Sequence, residues 1–251
     1  MPSRTEDPFQ SALVNLDLNC DLGEGEPVGK TRALMRYITS ANIACGGHAG
    51  NLRSMETCVR LGKRARVHVG AHPGVASNFG RGSITVSPQE LELLLLQQVG
   101  SFEKITRVEG VGLHHVKLHG SLYHAVDRNP HLARTYLQTI RRFWPRTIIF
   151  AKAGGLLHKL SRAAHVTVWP EAFLDRAYTD DGSLVARDHP AALITRPRAV
   201  LERLDLFKRT RTFSSVNGKP LSVSAKTLCL HSDTPNALRI LRTVSQALSL
   251  D

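Results

Sequence analysis

Seven short apolar segments, each ending abruptly in polar residues, constrain the fold of this 251-residue chain more than any other feature. Parallel strands that are buried on both faces read as such short runs. Stretches with helical periodicity separate the segments, and this alternation favours a parallel sheet covered by helices. In an α/β barrel such strands end at one rim, where the connecting loops build the active site. We therefore predict an enzyme with a single polar mouth. The segments lie near residues 13–18, 40–44, 67–71, 112–117, 147–151, 166–171 and 226–230.

Local signals predict several of the connecting elements. Residues 87–90 (SPQE) place a serine cap, a proline and a glutamate at the spacing of a helix start. The last helix is expected to start in the same way, with Asp233 or Thr234 as the cap before a proline. Residues 172–225 form a long excursion, and the Asn217-Gly218 pair within it predicts a small hairpin.

Length, composition and cysteine usage limit the class of protein. We expect residues 1–12 to be a flexible tail and residues 13–251 to be one barrel domain. No apolar run approaches the ~18 residues of a membrane span. The polar N-terminus has no apolar signal core, and the four cysteines include no CxxC pair. These features predict a cytoplasmic protein with reduced thiols and no membrane contact.

The net charge of +12 is concentrated partly in residues 196–211. A basic surface can attract nucleic acid, anionic substrates or acidic proteins, but no nucleic-acid module is recognisable, so no specific nucleic acid is expected. The segment GEGEPVGKT at 23–31 resembles a phosphate-binding P-loop only superficially. The P-loop spacing requires glycine where Glu24 stands, and the carboxylates would repel phosphate.

The densest acidic group follows the first segment and contains Asp17, Asn19, Asp21 and Glu24. Strand alternation directs the first three to one face. Crowded carboxylates in a barrel mouth need hydrogen bonds, a cation or a metal. An Asx-rich strand end that caps the next turn is the structural alternative. General acid–base catalysis is more attractive, because neighbouring carboxylates push their pKa values apart.

Histidines and one lysine end further segments. His48, His72, His119 and His231 follow four different strands, and they could bind either a divalent metal or a carboxylate substrate. The helical HExxH pattern is absent, which argues against a metal. Lys117 either extends to solvent or meets the acidic group or an anionic substrate.

A set of long motifs resembles the LamB/YcsF family over nearly the whole chain. The motifs are LDLNCDLGEG at 16–25, SANIACGGHAG at 40–50, GAHPG at 70–74, HVKLHGSLYH at 115–124, EAFLDRAY at 171–178 and LCLHSDTP at 228–235. The resemblance implies a seven-stranded β/α barrel of the glycoside hydrolase/deacetylase type.

The resemblance also implies an activity, which is the ATP-dependent opening of the lactam 5-oxoproline to L-glutamate. It implies ATP with Mg as the cofactor and 5-oxoprolinase subunits B and C as partners; a homo-oligomer is compatible with it. No tightly bound transition metal is expected, because the histidines are spread over four loops without a local ligand motif and ATP can drive activation of the lactam. The catalytic residues carried over are Asp21, Glu24, His72, Lys117 and His119. The substrate-binding residues carried over are Asp17, Asn19, Asn42, His48, Glu171, Asp175, Arg176, His231 and Asp233.

The chain departs from the family pattern at several positions. Asn51 stands where an aspartate is usual, and the loop at 75–82 lacks an aspartate and an arginine. Two alternatives to an active lactamase subunit therefore stay open. One is a metal-dependent, deacetylase-like hydrolase that acts alone. The other is a catalytically weakened scaffold for partner subunits.

Overall fold

Seven parallel strands close into one barrel, and their order around it is their order along the chain. The computed structural model describes residues 16–76 and 85–249, so the predicted tail at 1–12 and residues 77–82 of the altered loop lie outside it. The barrel strands are β1 (Asp17–Leu22), β2 (Ser40–Ala44), β3 (His68–His72), β4 (His115–Val116), β5 (Ile148–Lys152), β6 (Val168–Phe173) and β9 (Thr227–Cys229). The closed parallel barrel confirms the predicted fold class.

Helices cover the outside of the barrel between successive strands. They are α1 (Val28–Leu34), α2 (Leu52–Ala65), α3 (Pro88–Val108), α4 (Gly120–Arg128), α5 (Pro130–Phe143), α6 (Leu156–Ala164), α7 (Pro197–Thr210) and α8 (Ala237–Ser249). Within the described ranges, none of these helices is both long and apolar enough to cross a lipid bilayer.

The predicted start of α3 is confirmed and that of α8 is shifted. Ser87 and Glu90 form a reciprocal capping box ahead of α3. By contrast, α8 begins only at Ala237. The Thr234 hydroxyl does not cap it, because that hydroxyl donates to the buried Asp175 carboxylate at 2.6 Å.

The first strand begins and ends later than its apolar segment suggests. We predicted it near 13–18, whereas β1 spans 17–22 and places Asn19 and Asp21 within the strand. The reason is that the barrel interior is polar here. Asn19 on β1 donates to Glu171 on β6 at 3.0 Å, although these strands are not neighbours, so the contact crosses the interior.

A second contact also crosses the interior between two strands that are not neighbours. The His115 ring on β4 lies 2.7 Å from Asn42 on β2, and β3 runs between them. Gly70 on β3 makes this possible, because a Cβ at that position would lie 2.2 Å from the His115 ring. The interior is thus filled by hydrogen-bonded polar side chains, while the apolar core lies between the sheet and the helices.

The excursion between β6 and β9 contains α7 and the predicted hairpin. Its strands, β7 (Thr212–Ser214) and β8 (Pro220–Ser222), pair antiparallel around residues 217–218. The Arg203 guanidinium on α7 lies 3.9 Å from the centre of the Phe213 ring. Burial lowers the pKa of Arg203 to about 10. This arginine therefore belongs to the packing of the excursion and not to a free basic surface.

Candidate active site

Lys117, just after β4, is the centre of a buried charge network at the carboxyl end of the barrel. Its ammonium lies 2.9 Å from Asp21 Oδ1 and 3.0 Å from Glu171 Oε1. It also donates to Asn19 Oδ1 at 3.3 Å and to Cys229 Sγ at 3.1 Å. Burial alone would lower the pKa of Lys117, but the charges of Asp21 and Glu171 outweigh it and hold the pKa well above its usual value. The lysine is therefore charged, and it does not extend to solvent.

Asp21 has one oxygen that is fully engaged and one that is not. Oδ1 accepts hydrogen bonds from Lys117 and, at 2.6 Å, from Asn42. Oδ2 lies 3.6 Å from His72 Nε2 and 3.8 Å from His231 Nε2, which is beyond ordinary hydrogen-bond distance. Burial opposes ionisation of Asp21, but the charge and hydrogen bond of Lys117, together with the charge of His231, hold its pKa well below the usual range. Asp21 is thus an ionised carboxylate with an available oxygen.

Three histidines surround Glu24, which follows β1. Glu24 Oε1 lies 2.8 Å from His48 Nε2, 3.3 Å from His119 Nδ1 and 3.7 Å from His72 Nε2. One ligand atom from each of these four residues lies within 4.8 Å of the other three. Burial would raise the pKa of Glu24, but its hydrogen bonds with His119 and His48 lower it well below the usual value. We call these four residues the Glu24 cluster.

The geometry of the Glu24 cluster weakens the argument against a bound transition metal. That expectation depended on histidines spread over separate loops, and three of those loops converge here. The fourth candidate, His231, lies with Asp21 and Cys229 in a second group of potential ligand atoms.

Close backbone packing brings the histidine loops together. Gly74, two residues after the end of β3, packs so closely that a Cβ there would lie 2.5 Å from His48 and 2.9 Å from His119. The side chain of Gln98 on α3 forms hydrogen bonds with both backbone polar groups of Gly74. Its amide donates to the Gly74 carbonyl at 2.8 Å and accepts from the Gly74 amide at 3.0 Å.

His231, after β9, is fixed by a different carboxylate. Its backbone amide donates to Asp175 at 2.9 Å, and its Nδ1 lies 3.1 Å from both oxygens of that residue. The ring stacks on Phe173 with 5.6 Å between the ring centres. Burial would lower the pKa of His231, but Asp175 outweighs it and raises the pKa above its usual value. His231 can therefore carry a proton near neutral pH.

Three residues carried over from the family lie away from this network. Asp17 stands at the opposite end of β1, and its carboxylate accepts from three side-chain hydroxyls. Arg176 donates to the Val185 carbonyl at 2.7 Å, inside the excursion. Asp233 is exposed and pairs with Arg187 at 2.8 Å. These contacts favour structural roles, and substrate binding by these residues remains a prediction.

Some residues of the site could not be found from the sequence. Gln98 appears there as a polar residue within an apolar helix, and Cys229 appears as one more apolar residue of a strand segment. Tyr123 is buried, and burial followed by the charge of Glu171 raises the pKa of its phenol. Cys45, which follows β2, is also buried, and burial raises the pKa of its thiol to about 12, which disfavours a nucleophilic role.

The fold and the site together define a class, namely parallel β/α-barrel proteins whose mouth combines ionised carboxylates, a buried lysine and several imidazoles. Such a mouth can transfer protons and stabilise developing charge. Within that class the chain belongs to the LamB/YcsF family, since a sequence model of this family matches residues 16–251.

The relatives extend over almost the whole chain. One is the A subunit of 5-oxoprolinase from Pyrococcus furiosus, 37% identical over 240 residues, which are 94% of each chain. Another is the A subunit of 5-oxoprolinase from Clostridium beijerinckii, 35% identical over 241 residues and 94% of each chain. The crystal structure of a lactam utilization protein from Thermus thermophilus superposes with a TM-score of 0.86 at 35% identity, covering 94% of this chain and 96% of that one.

Proposed function

We propose that this chain is the A subunit of a 5-oxoprolinase, opening the lactam ring of 5-oxoproline to L-glutamate at the expense of ATP. The names of its relatives support this role. The observation that carries the chemistry is Asp21. It is ionised, its Oδ1 is held by Lys117 and Asn42, and its Oδ2 is left without a hydrogen bond among the described residues. An oriented carboxylate with one free oxygen is suited to accept a proton from an attacking water.

The remaining roles follow from charge and position. ATP, with Mg, would phosphorylate the lactam oxygen, and water would then add to the activated ring carbon. The C–N bond would break as the nitrogen takes a proton, and a second water would hydrolyse the resulting acyl phosphate to the carboxylate and inorganic phosphate. Lys117 would offset negative charge that develops near Asp21, and Glu24 is the second proton-transfer candidate. His72 and His119 would orient and polarise the lactam. Contacts to the substrate are proposed for Asn19, Asn42, His48, Glu171, Asp175 and His231.

Partner subunits B and C complete the proposal. The names of both 5-oxoprolinase relatives describe one component of a larger enzyme. No P-loop operates at residues 23–31, because Glu26 occupies that turn: its carboxylate accepts from the Gly23 amide at 2.7 Å and from Thr31 at 2.8 Å. Without its partners, the chain is therefore expected to be nearly inactive on 5-oxoproline.

A hydrolase that acts alone is the second candidate, and the Glu24 cluster favours it. A scaffold without activity has less support, because Asn51 has a structural explanation. Its side chain accepts from the Ser54 amide at 3.1 Å as the cap of α2. Asparagine caps helices as well as aspartate does, so this departure from the family pattern does not indicate lost catalysis.

The test is glutamate release from 5-oxoproline, measured with and without ATP and with and without co-purified partner subunits. The proposal predicts turnover only when ATP and partners are both present. Ring opening by the single chain without ATP would favour the hydrolase that acts alone. No turnover in a complex that has been shown to contain all three subunits would contradict the assignment.

A further inference from the structure

The Glu24 cluster has the dimensions of a metal site. In a tetrahedral zinc site with bonds of about 2.0–2.1 Å, neighbouring ligand atoms lie about 3.3–3.4 Å apart. Around Glu24 Oε1 the separations are 2.8 Å to His48, 3.3 Å to His119 and 3.7 Å to His72. His119 Nδ1 lies 3.2 Å from His72 Nε2. Each of these four separations differs from the tetrahedral value by at most about half an ångström, and the two remaining pairs, from His48 to the other histidines, lie within 4.8 Å.

The surroundings of His72 and His48 determine which ring nitrogen of each histidine faces the centre of the Glu24 cluster. His72 Nδ1 lies 2.7 Å from the Lys117 carbonyl, which can only accept, so Nδ1 carries the proton. The Nε2 lone pair of His72 then faces the cluster, as in metal sites where a backbone carbonyl fixes the tautomer. His48 Nδ1 is buried without a hydrogen-bond partner within residues 16–76 and 85–249. The polar contact of this ring is thus the one at Nε2, toward Glu24.

The second group of potential ligands is a poorer site. Asp21 and Cys229 both contact the Lys117 ammonium, at 2.9 Å and 3.1 Å. A cation there would meet a positive charge that already occupies the site. The Glu24 cluster has no lysine or arginine within ion-pair distance among the described residues.

We propose that the Glu24 cluster binds one divalent first-row transition ion, with Zn²⁺ as the best match. The ligand atoms are Glu24 Oε1, His48 Nε2, His72 Nε2 and His119 Nδ1. Three imidazoles and one carboxylate suit zinc and its neighbours in the series better than Mg²⁺ or Ca²⁺, which prefer oxygen ligands. The side chains of Glu24 and His119 are 24% and 28% exposed, so the ion would be open toward the mouth.

The chemical role of the ion rests on the proposed function. Four protein ligands fill a tetrahedral site, so a water would join only as a fifth ligand, on the exposed side of Glu24 and His119. Asp21 Oδ2 lies 3.6 Å from His72 Nε2 and would be placed to take a proton from such a water. In the metal-bound chain, ligation would replace the lactam contacts proposed for His48, His72 and His119 and the proton transfer proposed for Glu24.

The test is calorimetric titration of the metal-stripped full-length chain with Zn²⁺, together with Co²⁺ absorption as a probe of coordination. One ion per chain is expected. His119→Ala and Glu24→Gln should each weaken Zn²⁺ binding by more than about 100-fold, since loss of a ligand exceeds the about 10–100-fold typical of outer-shell changes. His114→Gln is the matched control, because His114 stacks on His68 at 4.0 Å in a separate histidine group. Circular dichroism establishes that each variant is folded.

The outcomes separate this inference from the proposed function. Equal Zn²⁺ affinity in all variants, or no stoichiometric binding by the folded wild-type chain, would overturn the metal site, even if ATP-dependent glutamate release is observed. One Zn²⁺ per chain that depends on His119 and Glu24 would uphold the site, even if 5-oxoproline is not a substrate. Loss of binding in His114→Gln alone would place the ion elsewhere and also overturn the inference.

Discussion

Two carboxylates on one face of β1 should respond oppositely to the same substitution. Asp21 lies at the mouth, next to Lys117 and the histidines. Asp17 lies four residues earlier, on the same side of the strand but at the other end of the barrel. Asp21→Asn is expected to remove lactam opening and leave the chain folded. Asp17→Asn is expected to leave turnover within a few-fold of wild type and to lower stability.

The magnitude for Asp21 follows from its contacts. An asparagine retains the oxygen that accepts from Asn42 and Lys117, and Lys117 keeps Glu171 at 3.0 Å, so no buried charge is left unpaired. The free oxygen Oδ2, however, is replaced by an amide nitrogen, which cannot accept a proton. Loss of a proton-transfer group lowers the rate by about 10²–10⁴-fold.

The magnitude for Asp17 follows from three hydroxyls. Thr39 and Ser40 each donate to Oδ1 at 2.6 Å, and Thr227 donates to Oδ2. An amide nitrogen at the second position leaves the Thr227 hydroxyl proton without its acceptor. An unsatisfied buried donor costs about 1–3 kcal/mol. In a chain of this size that loss lowers the melting temperature by roughly 2–12 °C.

The assay pairs ATP-dependent glutamate release by the reconstituted enzyme with thermal unfolding of each isolated variant. Near-normal turnover by folded Asp21→Asn protein would refute the proton-transfer role. A rate loss for Asp17→Asn as large as that for Asp21→Asn, with stability unchanged, would show that the two ends of β1 are not functionally distinct.

Three further predictions concern the loops, pH and partner binding. Gln98→Ala should lower turnover by roughly 10–100-fold, because it releases Gly74 and displaces the histidine loops; Gln97→Ala, exposed on the same helix, should have no effect in the same assay. Burial lowers the pKa of His72 to about 3, so below its ordinary value of 6.5 the unfolded chain binds a proton that the folded chain does not. The free energy of unfolding of the metal-free chain should therefore fall by up to ~1.4 kcal/mol per pH unit from this group as pH drops from about 6.5 toward 3, and denaturant titrations of His72→Asn should show a shallower dependence. Arg209→Glu should slow capture of partner subunits without changing the melting temperature, whereas Arg203→Glu should lower it, because Arg203 packs on Phe213 and donates to the Arg176 carbonyl.

The sequence predicts the barrel because its outer face is apolar. Each of the seven segments contributes strand residues that pack under the helices, and their order along the chain is the order around the barrel up to β6. The pattern misplaces β1 because the inner face at Asn19 and Asp21 is polar, and polarity is then mistaken for a strand end. It does identify the closing strand, because the seventh segment at 226–230 contains β9, and it assigns residues 217–218 to a hairpin, which pairs as β7 and β8 outside the barrel.

For the site, the sequence predicts which side chains lie at the rim of the barrel. It does not predict that these side chains separate into two groups. Asp21, Lys117 and Glu171 form one group, and Glu24 with three histidines forms another. Strand alternation predicts that Asp17 and Asp21 share a face, but it does not show that they lie at opposite ends of the interior. Gln98 carries no signal, because its importance comes from a contact with backbone atoms of a distant loop.

The polar interior orients the Asp21 carboxylate before any substrate binds. His115 holds the Asn42 carbonyl oxygen at 2.7 Å, which directs the Asn42 amide group toward the mouth. That amide donates at 2.7 Å to Asn19 and at 2.6 Å to Asp21 Oδ1. Since Lys117 uses the same oxygen, Oδ2 is the one that remains free. Folding of the barrel thus selects which oxygen of Asp21 can react, and a preset donor arrangement of this kind needs no reorganisation during the reaction.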